Sequence, residues 1–512
     1  MALGDVTFVK GQGGLGRPLA GQDYISGLIF YTSNGSLPSG FSTSNRVQSI
    51  FSVGQAEALG ILNNYNDATP AQVTYLITVK GNTGDTAQLK YTGINGVVLD
   101  LGTYTVASSA SSIALQGAAW AAVINAGTYN HGCTASFTTA TLTITLPKSQ
   151  GIFPNSGTPV SAIFNAGTGF TGTLTQSVVA GVASKQAVWH YHISEFFRLQ
   201  PKGQLYLGFF AVPSPYTFAE IATVQNISGG KVRQIGILKD YASTYSSSDL
   251  TAIQSQVTTY CDANHKPLSV IYAADLSGTS DFTTLTDLNT LSANKVSVVV
   301  SQDGGALGAF LYIGTGKSIT TLGACLGAVA LAAVNESIEW IGKFNISNGT
   351  ECDTPALANG VLMSSLSQNQ IDAIDNLRYI FLTNRVGLAG SYFNHSYTAI
   401  VNTSDYSRIE NNRTIDKAIR GVYSSMLPAL GSPIILNSDG TMKATSVAYL
   451  ESLADVNLTQ MVRDTELSDF KVSIDPTQDI LSTGKVVVAI QLLPIGVAEA
   501  IQVNIGFVTA IS

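Results

Sequence analysis

The sequence predicts an α/β (α+β) multidomain protein: a mostly parallel βα core, an inserted all-β module, and extended strand arms at the N and C termini. Three observations carry this. Residues 485–511, KVVVAIQLLPIGVAEAIQVNIGFVTAI, are dominated by strand formers, and Ile501, Val503 and Ile505 alternate with Gln502 and Asn504 at the period of a half-buried strand. Residues 68–176 are rich in Thr, Val and Tyr, broken by Gly, Asn and Ser turns, and hold very few charges. After residue 186 the period changes, and strand-like runs alternate with helix-like ones.

The N-terminal residues 1–25 read as an arm, with Val6, Phe8 and Val9 in a strand-like VTFV stretch. Gly11, Gly13 and Gly16 match GxGxxG, but a dinucleotide site needs a helix to open behind it. Arg17 and Pro18 start none, so the glycines read as a hinge. No basic stretch followed by an apolar one marks a secretory signal. Within the module, residues 72–79, 86–91, 97–106, 135–146 and 169–174 are strand candidates of a sandwich.

In the core, residues 204–212, 232–238, 268–272, 295–301 and 379–382 read as strands, and 217–225, 250–263 and 319–334 as helices. A helix over 413–427 spaces Ile415, Ile419, Val422 and Met426 along one face, expected to point into the core, and Pro428 stops it. On another face Arg413, Lys417 and Arg420 fall at i, i+4 and i+7, a basic stripe whose ordinary reading is a solvated surface. The terminal run 485–511 shows no hairpin turn and no closing partner. Bare strand edges aggregate unless something pairs with them, and one resolution is a partner in another copy of the chain.

Composition points the same way. The 512 residues suffice for roughly three domains. Only 12% are charged, against about 25% ordinarily, which suits surfaces buried against neighbours. A net charge of −7 argues against a nucleic-acid binder. Cys133, Cys261, Cys325 and Cys352 lie far apart, as isolated thiols of a reducing compartment. Pro494, Glu499 and three amides interrupt the terminal run, and residues 322–334 are too short to span a bilayer, so no membrane insertion is expected.

Motifs for chemistry fail one by one. Gly314, Gly316 and Lys317 evoke a phosphate loop, but Leu311 stands where the motif needs glycine, leaving a turn with a solvated Lys317. His190 and His192 would share a strand face, with nothing beyond Glu195 as a third ligand, so a packed, hydrogen-bonded pair is the better reading. The pairs Asp372/Asp375 and Asp475/Asp479 read as helix-start and loop charges. No nucleophile elbow stands in a strand–turn–helix context. Neither catalytic residues, nor a metal, nor a cofactor is expected.

From residue 377 the sequence resembles contractile tail sheath proteins of bacteriophages and related contractile injection systems. The resemblance rests on residues 377–382 (LRYIFL), 387–394 (GLAGSYFN), Asp405-Tyr406, 412–420 (NRTIDKAIR), and the final strands around 493–495 and 501–507. It implies a structural subunit that polymerises helically around an inner tube by strand exchange and contracts to drive the tube through a target cell envelope. The arms would carry Val6, Phe8, Val9, Ile501, Val503, Ile505 and Phe507, and Arg413, Lys417 and Arg420 would face the tube. Expected domains are an N-terminal arm (1–25), a sheath core (26–67 with 177–395), an outward β-rich insertion (68–176), and an inner C-terminal domain (396–512). Expected partners are further copies of the chain, the inner tail tube protein, and baseplate and tail terminator proteins, without direct nucleic-acid contact. The setting implied is the virion tail, assembled in the bacterial host cytoplasm. The alternative is an α/β enzyme carrying a β-rich carbohydrate-binding module.

Overall fold

The computed structural model describes residues 22–164, 169–240, 243–499 and 501–503. Its centre is β1 (Ile25–Tyr31), ISGLIFY, buried at every position. A strand covered on both faces needs a nearly continuous apolar run. β1 pairs in parallel with β10 (Gln204–Phe210) and β11 (Gln234–Leu238), whose sequences QLYLGFF and QIGIL meet the same requirement. β12 (Ser269–Ala273) and β14 (Val296–Val299) extend the parallel run, and β2 (Val47–Ile50) closes the other edge antiparallel. The sheet order is β14-β12-β11-β1-β10-β2.

One face, with Leu28, Phe30 and Leu207, packs under α4 (Lys185–Leu199) and α8 (Leu322–Leu331). The other, with Ile29 and Ile237, is covered by α5 (Glu220–Ile227) and α6 (Ser247–Gln256). The small residues of α8 let it lie against α4: a Cβ on Gly323 would sit 2.1 Å from the His192 carbonyl oxygen. Shorter pieces complete the core. They are α1 (Val53–Ala58), α7 (Leu307–Thr315), α9 (Gln368–Asn376), and the ladders of β13 (Ser292–Ala293) with β19 (Ala399–Ile400), β15 (Ser301–Asp303) with β16 (Pro355–Leu357), and β17 (Leu382–Thr383) with β18 (Tyr392–Phe393).

Two readings of the core need correction. His190 and His192 lie on α4, not on a strand, because residues 184–199 carry a capped helix: Ser184 Oγ accepts from Ala187 N (3.0 Å), and Asp67 accepts from Lys185 N and Gln186 N. Two residues apart on a helix, the imidazoles diverge. His192 is buried against Phe30, while His190 bonds Glu57 and Ser194. Lys317 is not simply solvated but pairs with Asp275 at 3.2 Å.

The insertion has its own core. One sheet orders β6 (Thr134–Thr138), β7 (Thr141–Thr145), β3 (Gln72–Val79) and β9 (Thr171–Val179); a second orders β5 (Val98–Thr105), β4 (Thr86–Thr92) and β8 (Val160–Phe164). The module is not all-β: α2 (Ile113–Ala126) and the single turn α3 (Thr128–His131) belong to it. Ser112 caps α2, and its Trp120 is fully buried beside Tyr75 and Phe170. The module's ends meet, since Thr69 and Val182 exchange main-chain hydrogen bonds of 3.1 and 2.9 Å.

The chain ends in a smaller unit of α10 (Ile409–Met426), α11 (Ala444–Arg463), β20 (Asp469–Ile474), α12 (Ile480–Thr483) and β21 (Val488–Leu493), with two small apolar clusters of its own. The first part of the terminal run therefore does have a hairpin partner. β21 pairs antiparallel with β20, in register from Asp469↔Leu493 to Ile474↔Val488.

Candidate functional site

The site is built on the two faces of α10. In α11, Leu450, Ala454, Leu458 and Met461 recur at helical spacing and are buried. The two helices meet closely at Gly421, where an added Cβ would be 2.9 Å from Asn457 Cβ, and Asn457 Nδ2 donates to the Gly421 carbonyl at 2.7 Å. The hairpin lies over this pair. Phe470, Val472, Ile474, Val488, Ile490 and Leu492 turn towards the helices, while Asp469, Lys471, Ser473 and Gln491 face outward. Two strands are too few to cover both helices.

An apolar groove of about 720 Å³ results. Its walls are Ile415, Ile419 and Val422 of α10, Leu458 of α11, and Ile490 and Leu492 of β21. Ile419 is 45% exposed and Tyr423, at the rim, 40%. Among the described residues no strand pairs with the second edge of β21, so a row of main-chain donors and acceptors adjoins this apolar floor. Apolar walls beside an open strand edge are what an added strand recognises: main-chain bonds give affinity and side-chain pockets give register.

The opposite face of α10 carries the basic stripe, and the structure inverts the expected orientation. The apolar face opens into the groove; Arg413, Lys417 and Arg420 turn inward. Arg413 is 4% exposed and donates to the carbonyls of Ala332 (3.2 Å) and Ala333 (3.0 Å), just past the C-terminal end of α8. The carbonyl of Ala332, the C-cap of α8, lacks a helical partner, and such an end favours a cation. Lys417 Nζ is 3.0 Å from Asp23 Oδ2 and also pairs with Glu466; Arg420 Nη2 is 3.3 Å from Asp23 Oδ1. Lys295 pairs with Asp416 of the same helix.

Burial pushes the Asp23 carboxyl up, but Lys417, Arg413 and Arg420 outweigh it and hold the group below the usual carboxylate range. Burial lowers Lys417, yet Asp23 and Glu466 leave its ammonium above its ordinary value. For Arg413 and Arg420 burial wins, and both guanidinium values fall. A solvated stripe would show none of this. The inversion has a physical cause: the carboxylates of Asp23 and Glu466 and the main-chain carbonyls past the end of α8 receive the three cations in charge-assisted hydrogen bonds.

Of the arm residues, Val6, Phe8, Val9, Ile505 and Phe507 lie outside the described residues. Ile501 and Val503 are described, 82% and 75% exposed, and belong to no strand. The segment leading to them is held by Arg408 Nη2 on Glu499 Oε1 at 2.6 Å. The groove itself escaped sequence reading, although the alternation of 469–474 (DFKVSI) and the spacing of Leu450, Ala454 and Leu458 both signal its elements.

The acidic pairs are local. Asp475 and Asp479 accept from Thr477 and Ser482 in exposed turns, and Asp375 bonds Asn394 and Tyr397. Among the described residues no group of three His, Cys, Asp or Glu side chains is placed to hold a metal ion, and no helix is long and apolar enough to cross a membrane.

No curated protein matches the chain. Among solved structures, it is similar to a chain of the anti-feeding prophage (AFP) baseplate, determined by cryo-EM with six-fold symmetrisation, at 12% identity and a TM-score of 0.43, covering 65% of this chain and 84% of that one. It is also similar to a chain of the contracted sheath complex of PVC, an extracellular contractile injection system, at 14% identity and a TM-score of 0.40, covering 62% and 80%. The families DUF2586, C-terminal domain, and DUF2586, N-terminal domain, match residues 405–512 and 3–396 respectively, and the chain belongs to the DUF2586 family.

Proposed function

We propose that this protein is the subunit of a contractile tail sheath: it polymerises helically around an inner tube by exchanging strands with neighbouring copies and contracts to drive the tube through a cell envelope. The observation that carries the proposal is that, among the described residues, the apolar face of α10 is only partly covered and lies beside an unpaired edge of β21. The proposed occupant is the C-terminal run of another copy. Its Ile501, Val503, Ile505 and Phe507 recur every second residue, so one face of that strand would fill the groove while Gln502 and Asn504 face out. Val6, Phe8 and Val9 offer the same chemistry for another free edge.

Donor and acceptor are different surfaces, so the contact is head-to-tail and builds an open filament unless its rotation closes a ring. Low surface charge suits a body pressed by neighbours, and the sequence resemblance to sheath proteins supplies the tube, baseplate and terminator as further partners. In this proposal the protein resides in the virion tail and is assembled in the bacterial host cytoplasm. Tube contact by Arg413, Lys417 and Arg420 would first require their release from Asp23, Glu466 and the end of α8.

The test is deletion of residues 502–512. The truncated chain is expected to keep its cooperative melt and lose the hollow tubes seen by electron microscopy, while a peptide of residues 499–511 binds it. Normal tubes from the truncated chain would overturn strand donation.

A further inference from the structure

We propose that Asp23 is an electrostatic clasp that fixes the root of the N-terminal arm to α10, so that arm root and groove move as one body. The functional meaning rests on the strand-exchange reading; the coupling itself is a property of the single chain.

Asp23 stands two residues before β1, an interior strand of the core sheet. Any segment upstream of it joins the body at this point. Both carboxylate oxygens are engaged from one helix, Oδ2 by Lys417 and Oδ1 by Arg420. Its main-chain carbonyl accepts from Gln234 Nε2 of β11 at 3.0 Å and from Arg413 Nη2 at 3.5 Å. One residue thus joins the central sheet to the C-terminal unit.

The charge balance makes Asp23 hard to replace. Arg233 at the edge of the cluster is buried, with Nε and Nη2 lacking partners. Burial and the neighbouring Arg420 charge press its guanidinium down to about 9. Asp416 is taken by Lys295. Arg233, Arg413, Lys417 and Arg420 share Asp23, Glu466, Glu410 and the already paired Asp416, and Asp23 is the anion on the arm side, acting on all four cations. Removing one partner from a buried charge cluster leaves the others uncompensated and is strongly destabilising, so loss of the Asp23 charge is expected to loosen its hold on α10.

The helix face that holds Asp23 is opposite the one that walls the groove. A pull on the arm by one neighbour reaches α10 through two ion pairs, and α10 is the wall against which a second neighbour's strand would lie. The clasp would carry tension from the arm root to α10 directly, alongside the path through β1 and β11.

Hydrogen–deuterium exchange of the unassembled full-length chain tests this. Asp23→Asn is expected to raise exchange together in residues 22–25 and in α10 around 413–420, by about tenfold or more, while β10 to β12 and the insertion stay protected. Asp23→Glu should restore part of the protection. A rise confined to residues 22–25, or no rise, would overturn the clasp. If Asp23→Asn does not fold, Arg420→Gln removes one partner and is read by the same paired pattern. This readout needs no polymer, so normal tubes from the 502–512 deletion, which would overturn strand donation, and failure of the clasp are separate results.

Discussion

At the residue scale, the environment of a side chain decides what its type cannot. His192 reads from sequence as one of a packed, hydrogen-bonded pair; it is packed, fully buried on α4 beside Phe30, but neither ring nitrogen is partnered. Burial lowers its imidazole to about 3, so it is neutral in the folded chain. Its folded value lies below the unfolded 6.5, so the unfolded chain binds the extra proton. The stabilising contribution is full above about 6.5 and is lost as pH falls towards 3. His192→Leu is expected to weaken the acid-side fall in stability, read as the urea midpoint against pH. Identical slopes for variant and parent would show that His192 does not set it. The same lesson holds for Arg413, Lys417 and Arg420: their spacing marks one face of a helix, but spacing does not say whether that face meets water or Asp23.

At the element scale, α10 is amphipathic in the ordinary sense but mounted the other way round. Its apolar side chains are only partly covered, because the hairpin beside them has two strands and an open edge. Ile419 is half exposed in the single chain, so Ile419→Glu should change stability by less than about 0.5 kcal/mol. In an assembled tube the same charge would be buried without a partner, and polymerisation should be lost. Sedimentation of the variant against the parent measures this; full-sized polymers from Ile419→Glu would exclude the groove as the acceptor.

At the scale of the whole molecule, the insertion is joined to the core by a narrow neck. Thr69 and Val182 pair at its base, and Asp67 and Ser184 just outside cap α4. The insertion's apolar cluster shares no residue with the two clusters flanking the core sheet. Replacing residues 70–181 by a short Gly/Ser link, with Asp67 and Ser184 kept, is expected to leave a core that melts cooperatively and still polymerises. Loss of the cooperative transition would show that the docked contact, Ile152 N on the Gly314 carbonyl, is part of what holds the core.

What the sequence determined by itself was local periodicity. Runs such as QLYLGFF and QIGIL read as buried strands because they are short, apolar and rich in β-branched and aromatic residues, and LGACLGAVAL reads as a close-packed helix because it is longer and made of small residues. The strands of the insertion were legible from their alternation, and the α10 helix from apolar residues three and four apart. α4 was missed because His190 and His192 imitate an alternating strand while their neighbours follow the helical period, and α2 because its small apolar residues run almost all round. What only the tertiary structure decided was which face of each element is covered. Burial of the α10 cations depends on Asp23, Glu466 and the α8 terminus, which lie up to 397 residues away in sequence. The groove exists because a two-stranded sheet underfills a pair of helices. Both are relations between distant segments, and no periodicity within one segment encodes them.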